Sequence, residues 1–157
     1  MLKINYSRVI YASFLLTLFS LTAFSQTQDV LIHSGSTWKY LDDGSDQDTL
    51  WRESGFDDSA WSEGLAQLGY GDGDESTIIS YGPDENNKYV TTYFRYEFDV
   101  DDRTAIEALK FKLLRDDGAV VYLNGVEVVR SNMPEGDIDY LTLASKPISS
   151  IYESKYY

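Results

Sequence analysis

Between residues 34 and 88 the chain is interrupted every few positions by Gly, Asp and Ser, with aromatic residues set between them. No long helix survives that punctuation: glycine weakens a helix interior, and Asp and Ser compete for its backbone groups. What remains open to this stretch is short strands joined by ordered loops. One helical turn is expected, at Phe56-Asp57-Asp58-Ser59-Ala60-Trp61. There Asp57 can cap the amides of the turn while Phe56 and Trp61 point to one side.

From Tyr89 the pattern turns to strand. In Tyr89 to Val100, positions 90, 94, 96, 98 and 100 are Val, Phe, Tyr, Phe and Val, and the interleaved 91, 93, 95, 97 and 99 are Thr, Tyr, Arg, Glu and Asp. Period two with one wet face predicts a half-buried antiparallel strand. Leu109, Phe111 and Leu113 alternate with Lys110 and Lys112, which predicts a second. Ala119 to Leu123 and Val126 to Arg130 flank Asn124-Gly125. Both residues of that dipeptide tolerate the positive φ of a type I′ turn, so it marks a hairpin. Several short strands, Gly/Asp turns and almost no helix predict an all-β antiparallel sandwich.

Residues 1–25 stand apart. Lys3 and Arg8 precede an apolar run from Val9 to Phe24, and Ala23-Phe24-Ser25 places small residues at the −3 and −1 positions of a cleavage site before Gln26. This is the layout of a secretory signal peptide cleaved after Ser25, and the run is short for a membrane anchor of about 20 residues. The expectation is a protein secreted to the cell exterior or periplasm, with no membrane span after cleavage. Cleavage removes two positive charges and no negative ones, taking the net charge from −13 to −15 on residues 26–157. Such a surface argues against nucleic acid and anionic membranes, both of which need Lys and Arg to displace counterions. The chain has no cysteine, so packing rather than disulfides must hold it, and thiolate metal sites and cysteine nucleophiles are excluded.

Several segments together resemble one module: Gly35-Ser36-Thr37-Trp38-Lys39-Tyr40-Leu41-Asp42-Asp43-Gly44, Phe56 to Trp61, Ala66-Gln67-Leu68-Gly69-Tyr70-Gly71-Asp72-Gly73, Thr92-Tyr93-Phe94-Arg95, and Leu114 to Gly125 with its Arg115-Asp116-Asp117-Gly118 core. The module is the galactose-binding-like jelly roll of large secreted bacterial proteins, above all Bacteroidetes-like ones. The resemblance implies an accessory domain of a multidomain parent, often ahead of a calcineurin-like metallophosphoesterase domain or beside surface-protein modules. It also implies closing strands beyond Glu153-Ser154-Lys155-Tyr156-Tyr157, so a fragment or an early-ended reading frame is expected. An aromatic, unpaired edge at Tyr156-Tyr157 points the same way, since such an edge invites aggregation.

A catalytic constellation is hard to assemble from these residues. A two-metal phosphoesterase needs several His and Asp ligands, and a Ser–His–Asp arrangement needs its own histidine; the chain has one, His33. Adjacent carboxylates arise from composition in so acidic a chain and carry no signal for glycoside hydrolysis. Calcium is the sharper expectation, because hard cations take six to eight oxygens and Asp in Gly turns can supply them. The groups are Asp42, Asp43, Asp46 and Asp48; Asp72, Asp74 and Glu75; and the pair Asp116-Asp117. That pair resembles the Asp-Asp turn of calcium-dependent sugar-binding β-sandwiches, although Asp-Asp-Gly also suits a solvated turn. Sugar would be bound by exposed aromatic faces with polar groups beside them. A small disulfide-free domain needs Trp61, packed with Phe56, and Trp38 for its core. Trp51, Tyr70, Tyr81 and Tyr89 are left as candidate ligand platforms. The expected function is a non-catalytic secreted module binding carbohydrate or another surface ligand. The alternatives are the N-terminal part of a secreted hydrolase and a purely structural docking domain.

Overall fold

The computed structural model describes residues 29–148. The segment expected to be a signal peptide and the chain end at Tyr156-Tyr157 lie outside the described residues. Within them the protein is built of strands, and the only helical elements are two 3-10 turns, Leu50–Arg52 and Arg103–Ala105. No helix there is long and apolar enough to cross a membrane.

Strand β1 (Thr37–Leu41) is the centre of an antiparallel three-stranded sheet, flanked by β2 (Ser62–Leu65) and β5 (Tyr93–Arg95). Its residues are β-branched, aromatic or aliphatic apart from Lys39, which suits a pleated, half-buried surface. Lys39 stands opposite Glu63 in register, and their side chains meet at 2.9 Å. Strands β3 (Leu68–Gly69) and β4 (Thr77–Ile78) form a short parallel pair at the base of the 70–76 loop. Strands β6 (Ala119–Leu123) and β7 (Val126–Ser131) form the antiparallel hairpin.

The hairpin agrees with expectation down to its turn. Asn124 and Gly125 both have positive φ, 49° and 82°, and Leu123 pairs with Val126 across them. Gly125→Ala is expected to cost about 1–2 kcal/mol, the penalty of placing a Cβ in the left-handed region. The new Cβ would also sit 2.7 Å from Glu53 Oε1, but that flexible carboxylate can move aside. Urea denaturation of the variant measures the cost.

The stretch from Tyr89 to Val100 departs from expectation in length and phase. Only Tyr93–Arg95 is strand. Tyr93, placed on the wet face by its alternation, is 5% exposed, whereas Val90, placed inside, is 40% exposed. The register shows why: Leu41 pairs with Tyr93 and Lys39 with Arg95, so Tyr93 and Arg95 share the face that meets the tryptophans. Farther along, exposed Glu97 and Asp99 alternate with half-buried Phe98 and Val100 as expected. The strand expected over Leu109–Leu113 is not formed. No ladder partner lies beside it among the described residues, and Leu109 and Phe111 are 43% and 39% exposed. Alternation prepares a face, but a strand also needs a neighbour to bond to. At Phe56–Trp61 a single turn forms: Trp61 N–H donates to the Asp58 carbonyl at 3.0 Å, and Asp57 accepts from Ser59 N–H at 3.1 Å.

The core is small and aromatic. Trp61, Ile79 and Tyr93 are its buried apolar side chains among the described residues. Ring contacts run in a chain from Phe56 to Trp61 (5.8 Å), Tyr93 (6.1 Å), Trp51 (5.0 Å) and Tyr122 (5.8 Å). This chain ties the three-stranded sheet to the hairpin. Trp38 lies outside it, half-buried against Tyr96 at 5.1 Å.

Candidate functional site

Three of the four aromatic candidates come together on the loops that follow β3 and β4. Tyr70 and Tyr81 meet edge to face, 5.2 Å between centroids. Backbone bonding carries Tyr89 alongside them, its N–H donating to the Tyr81 carbonyl at 2.9 Å. The Tyr89 ring then lies against the backbone of Gly44, where a Cβ would overlap it and where φ is +75°. Glycine is required there on both counts.

Between these tyrosines the chain makes a tight turn: Asn86 N–H donates to Asp84 Oδ1 at 2.9 Å, and Asn87 N–H to the Asp84 carbonyl at 3.0 Å. The turn delivers Lys88 onto the aromatic pair, with Nζ 4.6 Å from the Tyr70 centroid and 5.4 Å from that of Tyr81. An ammonium over two electron-rich ring faces is attracted by both. Beside it opens a shallow cleft of about 270 Å³, whose walls include Asp84, Lys88, Tyr89, Thr91 and Tyr140. The far wall is pinned by Thr91 Oγ1, which donates to the Tyr140 carbonyl at 2.8 Å. Burial pushes the Tyr70 hydroxyl above its ordinary pKa, and the negative charges of Asp116 and Asp117 push it further. Tyr70 therefore stays a neutral donor and acceptor at physiological pH.

Trp51 is not part of this cluster. It is held edge-on between Tyr93 and Tyr122, and the Arg52 guanidinium lies over Tyr122 at 4.2 Å and Trp51 at 5.8 Å.

The carboxylates divide into three arrangements. Asp42 Oδ2 accepts from Ser80 N–H, Asp43 Oδ1 from Ser45 N–H and Oγ–H, and Asp46 Oδ1 from Asp48 N–H. Asp43 and Asp46 close their own loop while Asp42 ties it to Ser80, and the Ser45 bonds hold the Asp43 carboxyl below the usual carboxylate range. Asp117 makes a corner at φ +29°: its Oδ1 accepts from Ile148 N–H at 2.6 Å, its own N–H donates to Asp116 Oδ1 at 2.8 Å, and its carbonyl accepts from Asn132 Nδ2 at 2.9 Å. The Asp116-Asp117 pair thus joins the hairpin to the segment near 148. Asp72, Asp74 and Glu75 each present an oxygen within 4.8 Å of the others on an exposed loop. Glu75 accepts from the amides of Asp72 (3.0 Å) and Gly73 (2.9 Å), which lowers its pKa. Three such oxygens are about half of what calcium requires.

A second cleft, about 360 Å³, runs beside β1, with Trp38, Lys39, Asp58, Glu63, Arg95 and Tyr96 on its walls. Its charges are paired with one another, Lys39 with Glu63 and Arg95 with Asp58. Lys88 and Thr91 complete the first cleft and belong to no motif. The one signal for Lys88 was its place as a lone cation in a loop of aromatic and acidic residues.

Comparison with known proteins returned no match, whether to a family model, a curated protein or a solved structure.

Proposed function

We propose that this chain is a non-catalytic accessory module of a secreted, multidomain protein, that its strands belong to a jelly-roll-like sandwich, and that it binds carbohydrate in the cleft between Tyr89 and Tyr140. The observation that carries the reading is a shallow cleft walled by Tyr89 and Tyr140 that also offers Asp84, Asn87, Lys88 and Thr91, with Lys88 linking it to the Tyr70–Tyr81 pair. Apolar ring faces with a few fixed polar groups are what a sugar needs, since its C–H faces stack on aromatics while its hydroxyls require donors and acceptors. Tyr89, half-buried in the wall, is the platform. At about 270 Å³ the cleft falls just under the roughly 300–1,000 Å³ of small-molecule pockets and suits one sugar ring rather than a long chain.

Calcium, if bound, would add oxygen coordination at the Asp72–Glu75 loop, so binding is measured with and without it. Calorimetric titration with a panel of soluble glycans is expected to give saturable heat that Tyr89→Ala weakens about tenfold, in line with roughly 0.5–1.5 kcal/mol for an aromatic contact. A folded protein silent to every glycan would transfer the reading to a docking or spacer domain. The holding of half-buried Trp51 between Tyr93 and Tyr122, rather than on a free surface, is the observation that favours this second reading.

A further inference from the structure

Resting on that reading, we infer that the sugar bound in the cleft is anionic, with Lys88 as the residue that holds its charge. The chain carries 26 acidic against 13 basic residues. Lys39, Arg95 and Arg130 each form an ion pair. Lys88 takes part in none of the ion pairs among the described residues. Its ammonium is instead held over the Tyr70 and Tyr81 faces. That contact leaves its charge without a counterion, and an ammonium has three N–H donors that ring faces do not satisfy as an oxygen would. Lys88 is also a wall residue of the cleft, and its long side chain lets the ammonium turn from the rings to an anion bound there.

The neighbouring charges limit which anion fits. Asp84 lines the same cleft, and its Oδ1 is engaged by the Asn86 amide. The negative charges of Asp116 and Asp117 also act on Tyr70. An acidic protein repels a polyanion at long range, but that repulsion is screened over about 8 Å at physiological ionic strength, whereas a direct ammonium–anion bond is much less so. The arrangement therefore favours one charged group on a single sugar residue over a densely charged polymer. The shared chemistry is an oxyanion, supplied either by a uronate carboxylate or by a sulfate ester.

The test compares four trisaccharides by calorimetry: galacturonate, its methyl ester, a sulfated galactose oligomer and the neutral galactose oligomer. The ester removes charge while keeping the hydroxyl pattern, so the first comparison needs no variant. Binding at least tenfold tighter for galacturonate than for its ester supports the inference and identifies a carboxylate. The same preference for the sulfated over the neutral galactose oligomer supports it and identifies a sulfate. Lys88→Gln should erase the preference and Lys88→Arg retain most of it, with circular dichroism reporting that both are folded. Equal affinity for charged and uncharged forms overturns the anionic assignment, a preference that survives Lys88→Gln overturns Lys88 as the residue that holds the charge, and both leave glycan binding standing. Silence to all four, with neutral glycans of the wider panel also silent, removes both.

Discussion

Trp61→Ala is expected to lower the stability of the protein by about 3–5 kcal/mol, the usual cost of emptying a buried tryptophan site. Trp61 is 7% exposed and stands between Phe56 and Tyr93 in the ring chain that joins sheet to hairpin. Two features make the loss severe. The buried core is small, so few other side chains can collapse into the space. And domains of this kind are stable by only about 5–15 kcal/mol in total, so one such loss removes a large share. Urea denaturation followed by far-ultraviolet circular dichroism is the proper measurement, because the substitution removes one of the three tryptophans that fluorescence would report. Trp38→Ala is the internal comparison: Trp38 is half-buried and packs on Tyr96 outside the chain, so its loss should be clearly smaller. Equal losses would mean that the ring chain is not what unites the two parts of the structure.

The same ring chain separates what could be read in advance from what could not. The Asn124-Gly125 turn was legible because its requirement is local: two residues must accept positive φ, and these two do. The Phe56–Trp61 contact was legible for a similar reason, the two rings being five positions apart across one capped turn. The face of β5 was not. Alternation treats Arg95 and Tyr93 as polar and turns them to water, yet burying a polar group is tolerable once its bonds are met. The groups that meet them come from far along the chain: Asp58 lies 37 positions from Arg95, and Gln47, whose amide donates to the Tyr93 hydroxyl at 3.4 Å, lies 46 positions from Tyr93. The segment around Leu109–Leu113 shows the converse, a good strand pattern with no strand beside it. At the candidate site, Tyr70, Tyr81 and Tyr89 stood out as aromatics in a Gly/Asp-rich region. Their convergence depends on the bond from Tyr89 to Tyr81 and on the approach of the ring to Gly44, neither of which leaves a periodic trace. Trp51 looked equally available and is instead a link in the core.

Arg95→Ala is expected to cost about 2–4 kcal/mol, and the reason is what it leaves behind rather than the pair it breaks. The Arg95 side chain is 10% exposed and bonds Asp58 Oδ2 through Nε at 2.8 Å, with Asp58 itself 18% exposed. Its Nη1 donates to the carbonyls of Trp51 and Glu53, and the guanidinium lies over the Phe56 ring at 5.2 Å. One side chain thus holds the Leu50–Arg52 turn and the Phe56–Trp61 turn onto β5. Removing it strands a largely buried carboxylate and takes a donor from two carbonyls, and stranded buried groups cost more than the net worth of the bonds they made. Arg95→Lys should rescue little, since a single ammonium cannot reach Asp58 and both carbonyls from one position as a planar fork does. The double-mutant cycle decides between charge and scaffold. If the pair matters chiefly as a charge match, Asp58→Ala alone should cost nearly as much as Arg95→Ala, and the double variant little more than either. If the carbonyl bonds dominate, Asp58→Ala should be the milder change and the double variant should track Arg95→Ala. The geometry favours the second outcome, because two of the three hydrogen-bond partners of Arg95 are backbone oxygens that no substitution at Asp58 touches. Glu97→Ala supplies the baseline: Glu97 reaches Arg95 only at 3.6 Å and is 77% exposed, so its removal should change stability by less than about 0.5 kcal/mol. A comparable loss from Glu97→Ala would place the stabilisation in exposed charge, and the account of Arg95 as the clamp between turns and sheet would fail.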